Sequence, residues 1–382
     1  MGAFFAIFEK TIKMSDLKHI PVIIGNGAPF RLVYRKGDLW QPSLQEINER
    51  TYDYVKLNRM STYIDIGINP FSMGIGFDGS LILPAIDNFA SREKALEKFN
   101  QTLGILLLGG VYSEAISPIE VSYGTLTLDG YVKFHGGSGL ISNFHKSIRS
   151  KIVSSLDVIK LLSPQTITIE ELEKAYFEGK NIFDKISNLS PGMLLNGTSK
   201  YVKHEWADSL IFLWTSIEQV INVLWTENLL KVKTDVVVEG RMDFLKDYRT
   251  WTSSNKIELL YQKNIIPIEV YKLLNKARKV RNDFIHNGKS LDEMSVTPAL
   301  EGLFKLISII LSNYSDSSLL DSVIETIYSN KRGDLFPKRN THDKEELSHW
   351  MPLPPLPGDK DWGDKPYEII DDLMLRPLNN FS

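Results

Sequence analysis

The chain has 382 residues, 43% of them hydrophobic and 24% charged, with a formal net charge of −3. That length suits two compact domains of about 100–200 residues each, and the composition excludes the collagen-like and broadly disordered classes. The absence of cysteine excludes a disulfide framework, a thiolate zinc site, an iron–sulfur cluster and a cysteine nucleophile, and it fits a reducing, intracellular compartment.

Residues 1–8 are apolar, but Glu9, Lys10 and Lys13 break the run before it has the length and basic lead of a secretory signal. Met14 offers an alternative start. The longest continuous apolar runs, such as 105–108, fall far short of the roughly 20 residues that span a bilayer. A soluble, cytoplasmic protein without membrane contact is expected. The net charge exerts no global pull on nucleic acid, so any attraction must be local. The acidic tail from 343 removes negative charge from the remainder. Lys272, Lys276, Arg278, Lys279 and Arg281 make a basic run, although a solvated helix face has the same pattern.

Residues 18–135 read as mixed α+β. Alternating or β-rich runs lie at 20–24, 30–34, 63–68, 81–86, 119–123, 125–128 and 131–134, punctuated by glycine turns at 25–27, 78–79 and 129–130. Asp129-Gly130 between two alternating runs is a hairpin signal. One helix interrupts the strands: Ser91 caps it, and Leu96, Phe99, Leu103, Leu106 and Leu107 form its stripe. The first 140 residues are expected to form an α+β module suited to sensing or partner binding. Residues 141–198 read as a helical connector, with a capping box at Thr168–Glu171 and a stop at Ser190-Pro191-Gly192.

An all-α antiparallel bundle is expected over 199–318. Trp206, Leu210, Leu213, Trp214, Ile217, Ile221 and Leu224 recur at helical spacing. A shorter helix at 253–263 takes Ser253 or Ser254 as cap. Pro267 opens the next helix, whose stripe is Val270, Leu273, Leu274, Ala277, Val280 and Phe284, and Asn287-Gly288 stops it. A fourth helix covers 297–313. From 319 to the end the chain reads as an acidic, proline-containing tail, with the polyproline-like run Pro352–Pro357 at its centre.

The chemistry sits in Arg281-Asn-Asp-Phe-Ile-His286. Asn282 and His286 lie one turn apart on a helix, with Arg281 beside them. His286 stands at the negative end of the helix dipole, a setting suited to a proton donor. RNA carries its own nucleophile, the 2′-OH, so cleavage needs a proton carrier and a cation for the charge on phosphorus. Arg, Asn and His suffice, and no metal or cofactor is required. The same pair also arises by chance as a structural feature of a helix surface.

This string resembles the Arg-Asn-x-x-x-His motif of HEPN domains, especially the Apea-like and RNase-toxin branch. The Trp-rich opening helix with Glu218, the helix at Ile257-Glu-Leu-Leu260, Asn287-Gly288 and the closing apolar helix extend the match over about 115 residues. The resemblance implies an endoribonuclease that leaves a 2′,3′-cyclic phosphate, acting as a homodimer in which two motif helices form one cleft. It implies a setting in toxin or antiphage defence systems. Arg281 would stabilise the phosphate, His286 would carry protons and Asn282 would orient. Glu218 either orients Arg281 or His286 or snorkels beside Trp214 and Trp225. Arg278 either grips RNA phosphate or is solvated. The alternatives are an inactive HEPN-like scaffold and an effector whose RNase stays silent until a ligand or protein binds the N-terminal module. Elsewhere, His135-Gly-Gly-Ser-Gly139 reads as a glycine loop or a phosphate cradle, without the Lys-Ser/Thr of a P-loop. His19, His145, His204, His342 and His349 show no metal-ligand spacing.

Overall fold

A computed structural model describes residues 19–331 and 333, apart from 69, 88, 90, 233–237 and 313–317, with the backbone alone at 155, 156, 312, 318 and 319. The described residues up to 331 belong to one compact unit. The proline-rich run, His342 and His349 fall outside the described residues, as do residues 1–18.

Strands β1 (His19–Gly25) and β2 (Arg31–Tyr34) precede two short helices, α1 (Leu44–Asn48), with a Ser43/Glu46 capping box, and α2 (Tyr54–Leu57), capped by Asp53. The chain then forms β3 (Met60–Ile68), β4 (Phe71–Gly76) and β5 (Leu81–Pro84). Helix α3 (Arg92–Leu108) starts where Ser91 accepts the Lys94 N–H, as the sequence indicates. β6 (Val121–Thr127) and β7 (Val132–Gly136) follow as the expected hairpin, with Gly130 at φ 83°. Next come α4 (Leu140–Arg149), α5 (Ser155–Leu162), β8 (Gln165–Thr168), α6 (Ile169–Lys185) and α7 (Pro191–Val202). The last described part is helical: α8 (Trp206–Trp225), α9 (Arg241–Lys246), α10 (Ser253–Gln262), α11 (Ile268–Asn287), α12 (Glu293–Ser312) and α13 (Ser318–Ser329).

Six strands form one antiparallel sheet in the order β3-β4-β5-β1-β6-β7. Its two edges meet. Arg59 bridges Tyr131, the Met60 N–H donates to the Gly130 carbonyl at 2.9 Å, and the Val132 N–H donates to the Asn58 carbonyl at 2.6 Å. The sheet thus curls into a small barrel filled by Val22, Ile24, Ile82, Val132, Met60, Leu126 and Phe134. Alternation along β1 sends Ile23 the other way, into the main core. Strand β2 stands apart, paired in parallel with β8.

The main core runs without a break from the outer face of the sheet through α3, α6 and α7 to α8, α11, α12 and α13. Three glycines permit the closest approaches. A Cβ on Gly109 would lie 1.9 Å from the Ala175 carbonyl oxygen, one on Gly179 1.9 Å from that of Ile105, and one on Gly104 2.2 Å from that of Pro191. Backbone therefore touches backbone where α3 meets α6 and the start of α7.

Several expectations change. Residues 141–198 do more than connect: Phe183, Ile186, Leu189, Leu194 and Leu195 are core residues. Ser190-Pro191-Gly192 starts a helix rather than stopping one, because Ser190 caps α7 and Pro191 takes its first position. Thr252, not Ser253 or Ser254, caps α10. Helix α12 begins at Glu293, before the expected 297, where the Asp292 carboxylate accepts the Ser295 N–H at 2.9 Å. The tail expected from 319 opens instead with α13, whose Leu320, Val323 and Ile327 are buried. Among the described residues one stretch, Glu293–Leu311, is long and apolar enough to cross a membrane by length and composition. In this fold its Val296, Leu300, Leu303, Phe304 and Ile307 are fully buried, as a central core helix requires.

Because Leu213 on α8 packs on Gly197 of α7 and the Ser209 hydroxyl donates to the Gly197 carbonyl at 2.9 Å, the helical half depends on α7. A fragment of residues 199–318 is expected to lack sharp near-ultraviolet circular dichroism and to aggregate on size exclusion. A fragment of residues 19–331 should give a cooperative thermal transition.

Candidate active site

Helix α11 positions the Arg–Asn–His string. Its buried face is Val270, Leu274 and Ala277, and Gly302 of α12 lets Leu274 close in, since a Cβ there would stand 3.2 Å from that side chain. Lys272, Lys276 and Lys279 are exposed on the opposite side. The helix ends at Gly288 in the left-handed region, φ 61°, with its N–H donating to the Phe284 carbonyl at 3.0 Å. The sequence signal at Asn287-Gly288 is met by that geometry.

Arg281 and Asn282 are partly buried, and the Arg281 Nη1 donates to the Asn282 Oδ1 at 3.2 Å. His286 is fully in the exposed final turn, next to Ile285, which is 47% exposed. Five positions on a helix separate Arg281 from His286 by about 140° around the axis, so one copy of α11 aims its cation and its imidazole in different directions. The Arg278 Nε is buried without a hydrogen-bond acceptor, so Arg278 is not simply solvated.

Glu218 is placed elsewhere. Its carboxylate accepts from the Trp214 Nε1 at 2.8 Å and from the Ser253 hydroxyl at 2.9 Å, which ties α8 to the start of α10. Its hydrogen bonds go to the tryptophan side of the sequence expectation, and none goes to Arg281 or His286.

A second polar cluster, missed from sequence, closes one mouth of the barrel. Helix α4 turns Ser142, His145 and Arg149 inward at intervals of three and four, and all three are buried. The Asp78 Oδ2 lies 2.6 Å from His145 Nδ1 and accepts from the Arg149 Nε at 2.7 Å. The Arg149 Nη2 reaches Asp78 Oδ1 and the Ser80 hydroxyl, each at 2.8 Å. The Arg149 guanidinium also lies over the Phe134 ring, 4.7 Å from its centre. Burial would push the Asp78 carboxyl up, but Arg149 and then His145 outweigh it and hold it far below the usual carboxylate range. The spacing 142–145–149 was the available signal, but its anion comes from a turn 64 residues earlier, counted from Ser142 back to Asp78.

The glycine loop before α4 is no open phosphate cradle. The Glu120 carboxylate already accepts the Ser142 N–H at 2.6 Å and the Ile141 N–H at 3.3 Å. A Cβ on Gly139 would stand 2.1 Å from that carboxyl carbon, so glycine there makes room for an internal anion at the helix N-terminus. Among the described residues no three His, Asp or Glu side chains gather in a way that could hold a metal ion.

Replacing Asp78 by Asn leaves Arg149 buried without its counter-charge, and a loss of about 3–5 kcal/mol is expected in urea unfolding. The stability lent by a carboxyl held this low is complete above its unfolded value of about 3.9 and drains as pH falls below it. The gap between the wild type and Asp78→Asn should therefore narrow below about pH 4.

No protein-family model matches the chain, and neither a curated protein nor a solved structure is similar to it.

Proposed function

We propose that the chain is a metal-independent endoribonuclease with a HEPN-like helical half, acting as a homodimer through α11. The observation that carries this reading is the last turn of α11, where an exposed imidazole follows one turn after an Arg–Asn pair joined at 3.2 Å. In the reaction the ribose 2′-OH loses its proton and bonds to phosphorus, the bond from phosphorus to the 5′-oxygen breaks, and that oxygen takes a proton. The product is a 2′,3′-cyclic phosphate and a free 5′-hydroxyl. His286 moves protons, Arg281 offsets charge on the phosphate oxygens, and Asn282 holds the guanidinium in place.

The divergence of Arg281 and His286 around one helix is the reason for two copies. A two-fold axis beside α11 brings the His286 of one protomer toward the Arg281 of the other, in an isologous contact. Exposed Lys272, Lys276 and Lys279 supply the phosphate attraction that the net charge lacks. The barrel half then serves as the restraint or sensor, in keeping with a toxin or antiphage role. A second reading, an inactive dimerisation scaffold, is favoured by two exposed apolar side chains, Ile285 near the end of α11 and Met294 at the start of α12, which is 76% exposed.

Purified full-length protein should cut total RNA or tRNA in excess EDTA, leave 2′,3′-cyclic ends, and spare DNA, which lacks the 2′-OH. His286→Ala should lower the rate by about 10²–10⁴-fold. Cleavage that needs a divalent ion, or that survives His286→Ala, would sink the proposal. A dimer that Ile285→Asp splits, with RNA left intact by the wild type, would favour the scaffold instead.

A further inference from the structure

A recess lies where β2, β4 and β5 face α3 and α6. Val33, Ile75 and Leu81 wall it on the strand side, with Leu103, Leu106 and Leu172 on the helix side. Arg31, Ser113 and Gly27 stand at its rim. Its cavity volume is about 30 Å³, and it opens to solvent.

Arg31 is a cation among neutral groups. Its Nη2 donates to the Tyr112 carbonyl at 2.7 Å and to the Gln165 Oε1 at 2.9 Å, and its Nη1 donates to the Ser113 hydroxyl at 3.3 Å. Those three bonds leave two of the five guanidinium N–H groups over. Asp78 also lines the recess, but its carboxylate is held by Arg149, His145 and Ser80. Among the described residues Arg31 makes no salt bridge. Burial pulls its guanidinium down to about 10. A desolvated permanent cation that faces an apolar recess is a specific receptor for an anion with an apolar body.

We propose that this recess binds a small carboxylate, its head on the free N–H groups of Arg31 and its short aliphatic tail along the leucine wall. The proposal is independent of the ribonuclease reading and stands or falls by binding alone. A tetrahedral phosphate suits the place less, because apolar side chains rather than further donors surround the head.

The test is calorimetric titration of the full chain with sodium acetate, sodium butyrate and inorganic phosphate at low ionic strength. Butyrate should bind saturably and roughly tenfold more tightly than acetate, from its two additional methylenes. Phosphate should bind more weakly than butyrate. Arg31→Gln should abolish butyrate binding. Gly27→Val should weaken it while keeping the cation, since a Cβ at Gly27 meets no atom within 4 Å and the glycine is not at positive φ. If Arg31→Gln does not fold, judged by its unfolding midpoint, Gly27→Val decides. The proposal is overturned if butyrate gives no saturable heat, if it binds no better than acetate, if phosphate binds as tightly, or if both variants keep wild-type affinity.

Discussion

Contact between backbones at α3 sets the spacing of the rest of the molecule. Where Gly109 faces Ala175, Gly179 faces Ile105 and Gly104 faces Pro191, no side chain separates the main chains. Helix α3 can then press one face on the sheet while α6 and α7 close on its other side. Every helix further along inherits its position from that contact: α7 carries α8, and α8 carries α10, α11 and α12. A Cβ at any of those three points would stand within 2.2 Å of a carbonyl oxygen and force the layers apart, and close-packed interiors do not absorb such shifts cheaply. The barrel and the motif helix, far apart in sequence, thus belong to one mechanical body.

How much of this can be read in the sequence depends on the range of the interaction. Local signals survive intact. The Thr168/Glu171 capping box, Ser91 at the start of α3, the turn at Gly130 and the stop at Gly288 are each fixed by neighbours within a few residues. Strand β4, Phe-Ser-Met-Gly-Ile-Gly, escapes notice because two glycines dilute its strand character. Closure of the sheet leaves no sequence trace at all, since backbone groups of Asn58, Met60, Gly130 and Val132 make it. The polar plug pairs α4 with Asp78, a residue that reads from sequence as plain turn punctuation beside Gly79. Glu218 was ambiguous for a similar reason: a carboxylate one turn beyond a tryptophan satisfies either a distant cation or that indole, and the indole is nearer.

The two polar clusters differ in burial and in pairing. Asp78, His145 and Arg149 are sealed from solvent, with the Asp78 carboxylate paired to the Arg149 guanidinium, which suits a group that fixes the register of α4 in the barrel mouth. His286 is exposed and Arg281 and Asn282 are partly buried, and among the described residues the guanidinium is hydrogen-bonded to the neutral Asn282 amide. Among the described residues Arg281 makes no salt bridge, whereas Arg149 is paired with Asp78.

The seam at Arg59 and Tyr131 joins the barrel's edges through two backbone hydrogen bonds, while β1 and β6 share a seven-residue register. Amide protons at Met60 and Val132 are therefore the first of the sheet to trade with deuterated solvent, and those of Ile23 and Ile24 the last. Opening along this line unrolls the barrel without breaking any other strand pair. It would uncover Met60, Leu126 and Phe134, which pack together inside the barrel.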